Sequence, residues 1–222
     1  MTGKRKEMLA TGEFYHLFNK SIGGIDIFKN IYDLGRALKL LKFYIFPQTL
    51  RYSFFKRLNP QAKMDYLLKC NSSNPLVEIY SFAFMPNHFH ILLRQQVDNG
   101  IKKFVSNFQN SFAKYHNLKY KRLGTLFLQP FKAKLITKDD EFLHISRYIH
   151  LNPVTAYLIK YEDLKSYPWN SYSYYIKKEK NKLINTSFIT KLAGSNDRYQ
   201  RFVSNQVNYQ RKLGQIKHLV LE

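Results

Sequence analysis

This sequence is short of sulfur and, against its bases, of acid. A single cysteine, Cys70, stands among 222 residues. It excludes an internal disulfide and a metal centre built from several thiolates, and it fits a reducing compartment. No apolar run is long enough to span a bilayer, and the opening MTGKRKEMLA lacks the apolar core of a secretory signal. Together these absences predict a cytoplasmic protein with no membrane partner. Acidic side chains are scarce: 15 Asp and Glu face 36 Lys and Arg, a net charge of +21. Such an excess repels itself in a compact fold unless a polyanion compensates it, so nucleic acid is the first candidate partner and an anionic lipid surface the second. The lipid surface is disfavoured, because no basic amphipathic anchor with large exposed apolar residues is evident. Tryptophan occurs once, yet 17 Tyr and 18 Phe raise the aromatic share to 16%. Many of these rings must be core; the rest, mixed with Lys and Arg, suit stacking on unpaired bases. The 45% apolar share excludes disorder throughout.

The elements follow from periodicity and punctuation. Phe14–Phe18 alternates like a strand, and Gly23-Gly24 breaks the chain. Asn30 is an N-cap candidate for a helix with Leu34, Leu38, Leu41 and Tyr44 on one stripe, ended by Pro47. Residues 48–75 read as an insertion or helical connection. Val77–Met85 and His88–Arg94 read as strands joined at Pro86-Asn87. A basic helix follows from about Ile101 to Tyr120, with Phe104, Phe108, Phe112 and Tyr115 as its apolar stripe. Residues 124–136 are strand-like. Asp139-Asp140-Glu141 opens a further helix at the end that favours negative charge, and Pro153 bounds it. The predicted fold is α+β, an antiparallel sheet with packed helices, over residues 1–175. Residues 176–222 form a basic, partly helical C-terminal extension with Lys177, Lys178, Lys180 and Lys182.

Two segments carry chemistry. In His88-Phe89-His90 the period of two puts both imidazoles on one face of a strand and Phe89 on the other, which suits one divalent ion. On its own the pair is more often two unrelated histidines on a half-exposed strand. The second segment is the helix at 141–152. Wound at 3.6 residues per turn, Glu141, His144 and Tyr148 share a face apart from Phe142, Ile145 and Ile149. Asn152 lies one turn beyond Tyr148. Preceding Pro153, it is biased out of the helical region and reads either as an ordinary cap or as an oxygen ligand reaching back.

Phe84-Met85-Pro86-Asn87-His88-Phe89-His90-Ile91-Leu92, followed some fifty residues later by Arg147-Tyr148-Ile149-His150-Leu151-Asn152-Pro153-Val154, resembles the single-tyrosine HUH transposases. The likeness is greatest to their REP-associated tyrosine transposase branch. It extends to Tyr15–Asn19, to Gly124–Phe131 and to Tyr167–Tyr172. The resemblance implies an RRM-like, ferredoxin-like sandwich. It implies that His88 and His90 bind a divalent metal, Mg2+ or Mn2+, with Asn152 where insertion-sequence members commonly carry Gln as a third ligand. It implies that Tyr148 is the nucleophile that cleaves and rejoins single-stranded DNA at hairpin-containing sites through a 5′-phosphotyrosine, either within one chain or across a homodimer. His144, one turn before Tyr148, is a candidate for assisting it; the alternative is a surface histidine on a charged helix. Lys102, Lys103, Lys114, Lys119, Lys121, Arg122, Lys132 and Lys134 surround these motifs in sequence and suit phosphate tracking. Two other readings stay open: a catalytically inactive DNA- or RNA-binding regulator on the same fold, and a metal-dependent phosphodiesterase in which water attacks.

Overall fold

The computed structural model describes residues 9–176 and 183–206; the basic run Lys177–Lys182 lies outside the described residues. Strand β1 (Phe14–Lys20) leads into α1 (Ile31–Tyr44), the short α2 (Tyr52–Phe55) and α3 (Pro60–Asn71). Then come β2 (Val77–Met85), β3 (His88–Gln95), α4 (Gly100–Lys119), β4 (Lys132–Ile136) and α5 (Asp139–Thr155). Helices α6 (Tyr172–Ile176), α7 (Thr186–Ala193) and α8 (Asn196–Ser204) complete the order. The strands form one antiparallel sheet in the order β2-β3-β1-β4. This is the ferredoxin-like sandwich expected from the sequence, with α2 and α3 spliced between α1 and β2.

Residues opposed across strands share a face of the sheet. By that register Phe18 opposes both His90 and Lys132, Lys20 opposes His88, and His16 opposes Lys134. Tyr15, Leu17, Phe89, Ile91 and Leu93 therefore face the other way, and all five are fully buried. On that apolar side α4 lays down Phe104, Phe108 and Phe112, with Phe108 5.4 Å from Phe89 and 6.2 Å from Phe84. Helix α1 runs beside α4, its start capped by Asn30, whose side chain accepts from the backbone N–H of Tyr32 and Asp33. Asp33, buried, joins the two helices by accepting from Tyr115, Tyr120 and Lys119. Helix α5 takes the histidine side. Its Phe142 ring meets Phe14 at 5.0 Å and Tyr80 at 5.2 Å.

Two local expectations are corrected, those for Pro153 with Asn152 and for the strand over 124–136, while the helical connection expected over 48–75 is present. Pro153 does not bound α5: the helix runs to Thr155, and Asn152 is a helical residue, not the cap. A proline so near the end removes only one ladder bond, and Ala156 N–H still reaches the Asn152 carbonyl. The strand expected over 124–136 is confined to Lys132–Ile136, because Pro130 has no N–H to offer a ladder and Phe127 makes only an isolated bridge to Ser21. Residues 48–75 hold two helices, with Asn59 capping α3 and Tyr52, Phe55 and Tyr66 gathered around the Phe43 ring.

The C-terminal extension adds Ile184, Ile189, Tyr199 and Val203 to the same core. Its anchor is His150, fully buried on α5. Its Nδ1 bonds the Tyr199 hydroxyl at 2.7 Å and its Nε2 the Ser171 hydroxyl at 2.8 Å, and Tyr199 also bonds Ser146. Burial pushes the His150 pKa down to about 3. The unfolded chain therefore binds a proton at His150 that the folded chain refuses. The stability this neutral histidine allows is complete above about pH 6.5 and is lost as pH falls toward 3. In urea titrations at several pH values, His150→Gln should flatten the slope of unfolding free energy between about pH 4 and 5.5 by about 1.4 kcal/mol per unit. An unchanged slope would mean that the imidazole is protonated in the folded state.

Candidate active site

Strand β3 holds His88 and His90 on the face beneath α5, with ring centroids 5.1 Å apart. His88 Nδ1 lies 2.6 Å from Asn87 Oδ1, while Asn87 Nδ2 donates to the Gly24 carbonyl. An amide oxygen only accepts, so His88 carries its proton on Nδ1 and keeps the Nε2 lone pair. His90 is held by a residue that the sequence reading did not single out: His16 on β1, whose Nε2 lies 2.9 Å from His90 Nδ1. His16 shares a strand face with Phe14 and Phe18, and alternation alone could have placed it there. That β1 is the strand beside β3 is a fact of topology that no local pattern carries.

All three rings stay neutral near pH 7. Burial pushes His16 down to about 4, with Lys134 adding to the effect. Burial and then Lys20 push His88 down to about 4. His90 is driven well below its ordinary value by burial first and by His16 and His88 after it. Neutral imidazole is the metal-ligating form. Among the described residues no three His, Cys, Asp or Glu side chains converge on one ion position.

Helix α5 brings Tyr148 over His90 and His16, its ring edge-on to His90 at 5.5 Å and to His16 at 6.0 Å. Burial raises the phenol pKa, and the Asn152 side chain one turn on draws it back. Asn152 is itself buried, with its amide nitrogen unpartnered. Tyr148, His88, His90 and Asn152 are thus brought into one neighbourhood. His144 is not joined to Tyr148 by any hydrogen bond or ring contact. It is exposed, accepts at Nδ1 from the Arg147 guanidinium at 2.8 Å and meets the Phe202 ring edge-on at 5.5 Å. The reason is α8, which docks beside that stripe of α5 and puts Phe202 under the Arg147 guanidinium.

The basic residues divide between the two sides of the sheet. Lys132 and Lys134 on β4 share the face of His90 and His16, and Lys20, absent from the sequence expectation, opposes His88. Lys134 is paired with Glu141 at 2.7 Å. Lys102, Lys103, Lys114 and Lys119 ride on α4, across the sheet from Tyr148, because that helix must bury its phenylalanine stripe on the apolar side. Lys119 is tied to Asp33 at 2.6 Å. Lys121 is exposed in the turn after α4, and Arg122 bonds the Asn117 side chain there. These six do not surround the histidines.

The fold has counterparts among solved structures. The REP-associated tyrosine transposase bound to a REP hairpin superposes with a TM-score of 0.53 at 13% identity, covering 83% of this chain and 95% of that one. A candidate transposase from Deinococcus radiodurans R1 matches at 14% identity and a TM-score of 0.36, covering 66% of this chain and 95% of that one. No curated protein sequence matches. Among the described residues no helix is long and apolar enough to cross a membrane. The family model of IS200-like transposases matches residues 43–152, a span that contains His88, His90, Tyr148 and Asn152. Over that segment the chain is similar to the IS200-like transposases.

Proposed function

We propose that this protein cleaves and rejoins single-stranded DNA, with Tyr148 as nucleophile and the His88/His90 pair as its metal seat. The observation that carries the proposal is the placement of the Tyr148 ring against His90, itself braced by His16, on a sheet face that also carries Lys20, Lys132 and Lys134. A hydrolase in which water attacks would not need a phenol there.

The donor set fits a divalent ion. His88 and His90 are neutral, and His88 has its outer nitrogen engaged with Asn87. His90 presents Nε2 when its Nδ1 donates to His16. Two imidazoles leave an open coordination sphere for Asn152, water and a phosphate oxygen, as catalytic sites require. A Mg2+ or Mn2+ ion bound there would polarise a non-bridging phosphate oxygen and favour the phenolate. The remaining chemistry belongs to the chain. Tyr148 Oη attacks phosphorus, and its proton passes to solvent. The bond from phosphorus to the 3′ oxygen breaks, that oxygen leaves as a 3′ hydroxyl, and the 5′ phosphate stays on tyrosine. An incoming 3′ hydroxyl reverses the step and releases the phenol, so strands rejoin without a nucleotide cofactor. Among the described residues Lys20 and Lys132 pair with no carboxylate, and on this face they hold the backbone of the strand. The chain that resembles it in fold was bound to a REP hairpin, and a hairpin flanked by single strands is the substrate we assign.

Tyr148→Phe removes one oxygen and keeps the ring contacts. Incubated with hairpin DNA and Mn2+, wild type should give a band carrying DNA covalently on a denaturing gel. The variant should give neither band nor cut strand, while its melting curve is unchanged. A cut strand without any adduct in wild type would hand the reaction to water.

His88→Ala should abolish Mn2+ binding in calorimetric titration and cleavage together, with the fold retained. His16→Phe fills the same space but leaves His90 Nδ1 without its partner. It should weaken Mn2+ affinity by about 10–100-fold, the usual effect of losing an outer-shell partner. Wild-type affinity in this variant would show that His90 needs no brace.

A further inference from the structure

On the side of the sheet away from Tyr148, helices α1, α2 and α4 enclose a cleft of about 900 Å3. Its charged lining is wholly basic: Arg36 from α1, Arg51, Lys56 and Arg57 around α2, and Lys114 from α4. Among the described residues no acidic one lines it. The ion pairs among the described residues are Lys119–Asp33 and Lys134–Glu141, so none of these five cations has a carboxylate partner. Five unneutralised cations around one concavity repel one another, and an anion with several charges in a row relieves that repulsion.

The cleft also holds aromatic rings. Arg36 lies over Tyr115 at 4.7 Å and over Tyr52 at 5.2 Å, and Arg57 over Phe54 at 5.2 Å. Phe54 is 54% exposed at the rim, where packing does not need it. Asn107, Asn110 and Ser111 add uncharged hydrogen-bonding groups along α4. Cations that track a backbone, with rings at hand for flat faces, are what single-stranded nucleic acid uses. A volume of 900 Å3 is only about 10 Å on a side, whereas the major groove of a duplex alone is about 12 Å wide.

We propose that this cleft is a second binding site for single-stranded DNA, occupied by a segment other than the one at Tyr148. The sheet and its helices separate the two faces, so a strand in the cleft takes no part in the chemistry. It supplies affinity that is the same before and during the reaction. The choice of DNA rests on the proposed function, whereas the existence of the site rests on the cleft alone.

The test is fluorescence anisotropy with oligothymidylate as a function of salt. The triple variant Arg51→Ala, Lys56→Ala, Arg57→Ala touches only exposed side chains. It should bind roughly tenfold or more weakly near 100 mM salt, and the slope of log affinity against log salt should lose about 2 in magnitude. Its single-turnover cleavage rate at saturating DNA should equal wild type, while Tyr148→Phe should bind the oligonucleotide as wild type does. Loss of cleavage chemistry in wild type would therefore defeat the proposed function and leave the cleft standing. Amine footprinting of the wild-type chain is the second measurement. Oligothymidylate should protect Lys56 and Lys114 and spare Lys69, which is exposed on α3 outside the cleft. Unchanged affinity and slope, absent protection, or equal protection by blunt duplex or by polyglutamate would each overturn the proposal.

Discussion

The structure turns on the alternation of β3 between its two neighbours. Phe89, Ile91 and Leu93 are driven into the core beneath α4, and His88 and His90 have no choice but to face α5. A slip of one residue would bury two imidazoles in hydrocarbon and send the phenylalanine outward, so the pairing is fixed by burial on the side away from the chemistry. The same pairing, carried across to β1, lays His16 against His90.

Helix α5 is gripped from two directions. Residues two apart on a helix point about 200° from one another, so Tyr148 and His150 cannot serve the same neighbour. Tyr148 meets the histidines of the sheet, whereas His150 is locked into Tyr199 and Ser171. The C-terminal helices therefore do mechanical work for the site: they set the rotation of α5 about its axis and with it the height of the phenol above the imidazoles.

Much of this is legible in the sequence alone. Asn30 capped the helix expected of it, Pro86-Asn87 turned the hairpin, and Phe104, Phe108 and Phe112 marked the buried stripe of α4, because each signal lies within a few residues of its effect. The pairing of Tyr148 with His90 came from the family resemblance and not from periodicity. What stayed hidden depends on contacts between distant segments. His16 beside His90 needs the strand order, and the engagement of His144 by Arg147 needs the docking of α8. The lysines of α4 were expected around the site because they are its neighbours in sequence. Which side of a sheet a helix covers is not written in the helix. Pro153 misled for the opposite reason: a strong local rule met a position too close to the helix end for the lost bond to matter.

The outer edge of β2 is sealed by segments made long after it. The Trp169 carbonyl accepts from Phe84, Ser171 donates to the Phe82 carbonyl and Asn185 to that of Ile79. β4, the opposite edge, pairs only with β1 among the described residues and carries Lys132 and Lys134 outward, charges that discourage a stranger strand from joining. The two edges are thus protected by different means and at different times. Charge guards β4 from the moment it is made. β2 pairs at once with β3 on its inner side, but its outer backbone groups wait until more than eighty further residues have been delivered, so the protection of that edge in the interval depends on the order of synthesis and not on the finished fold.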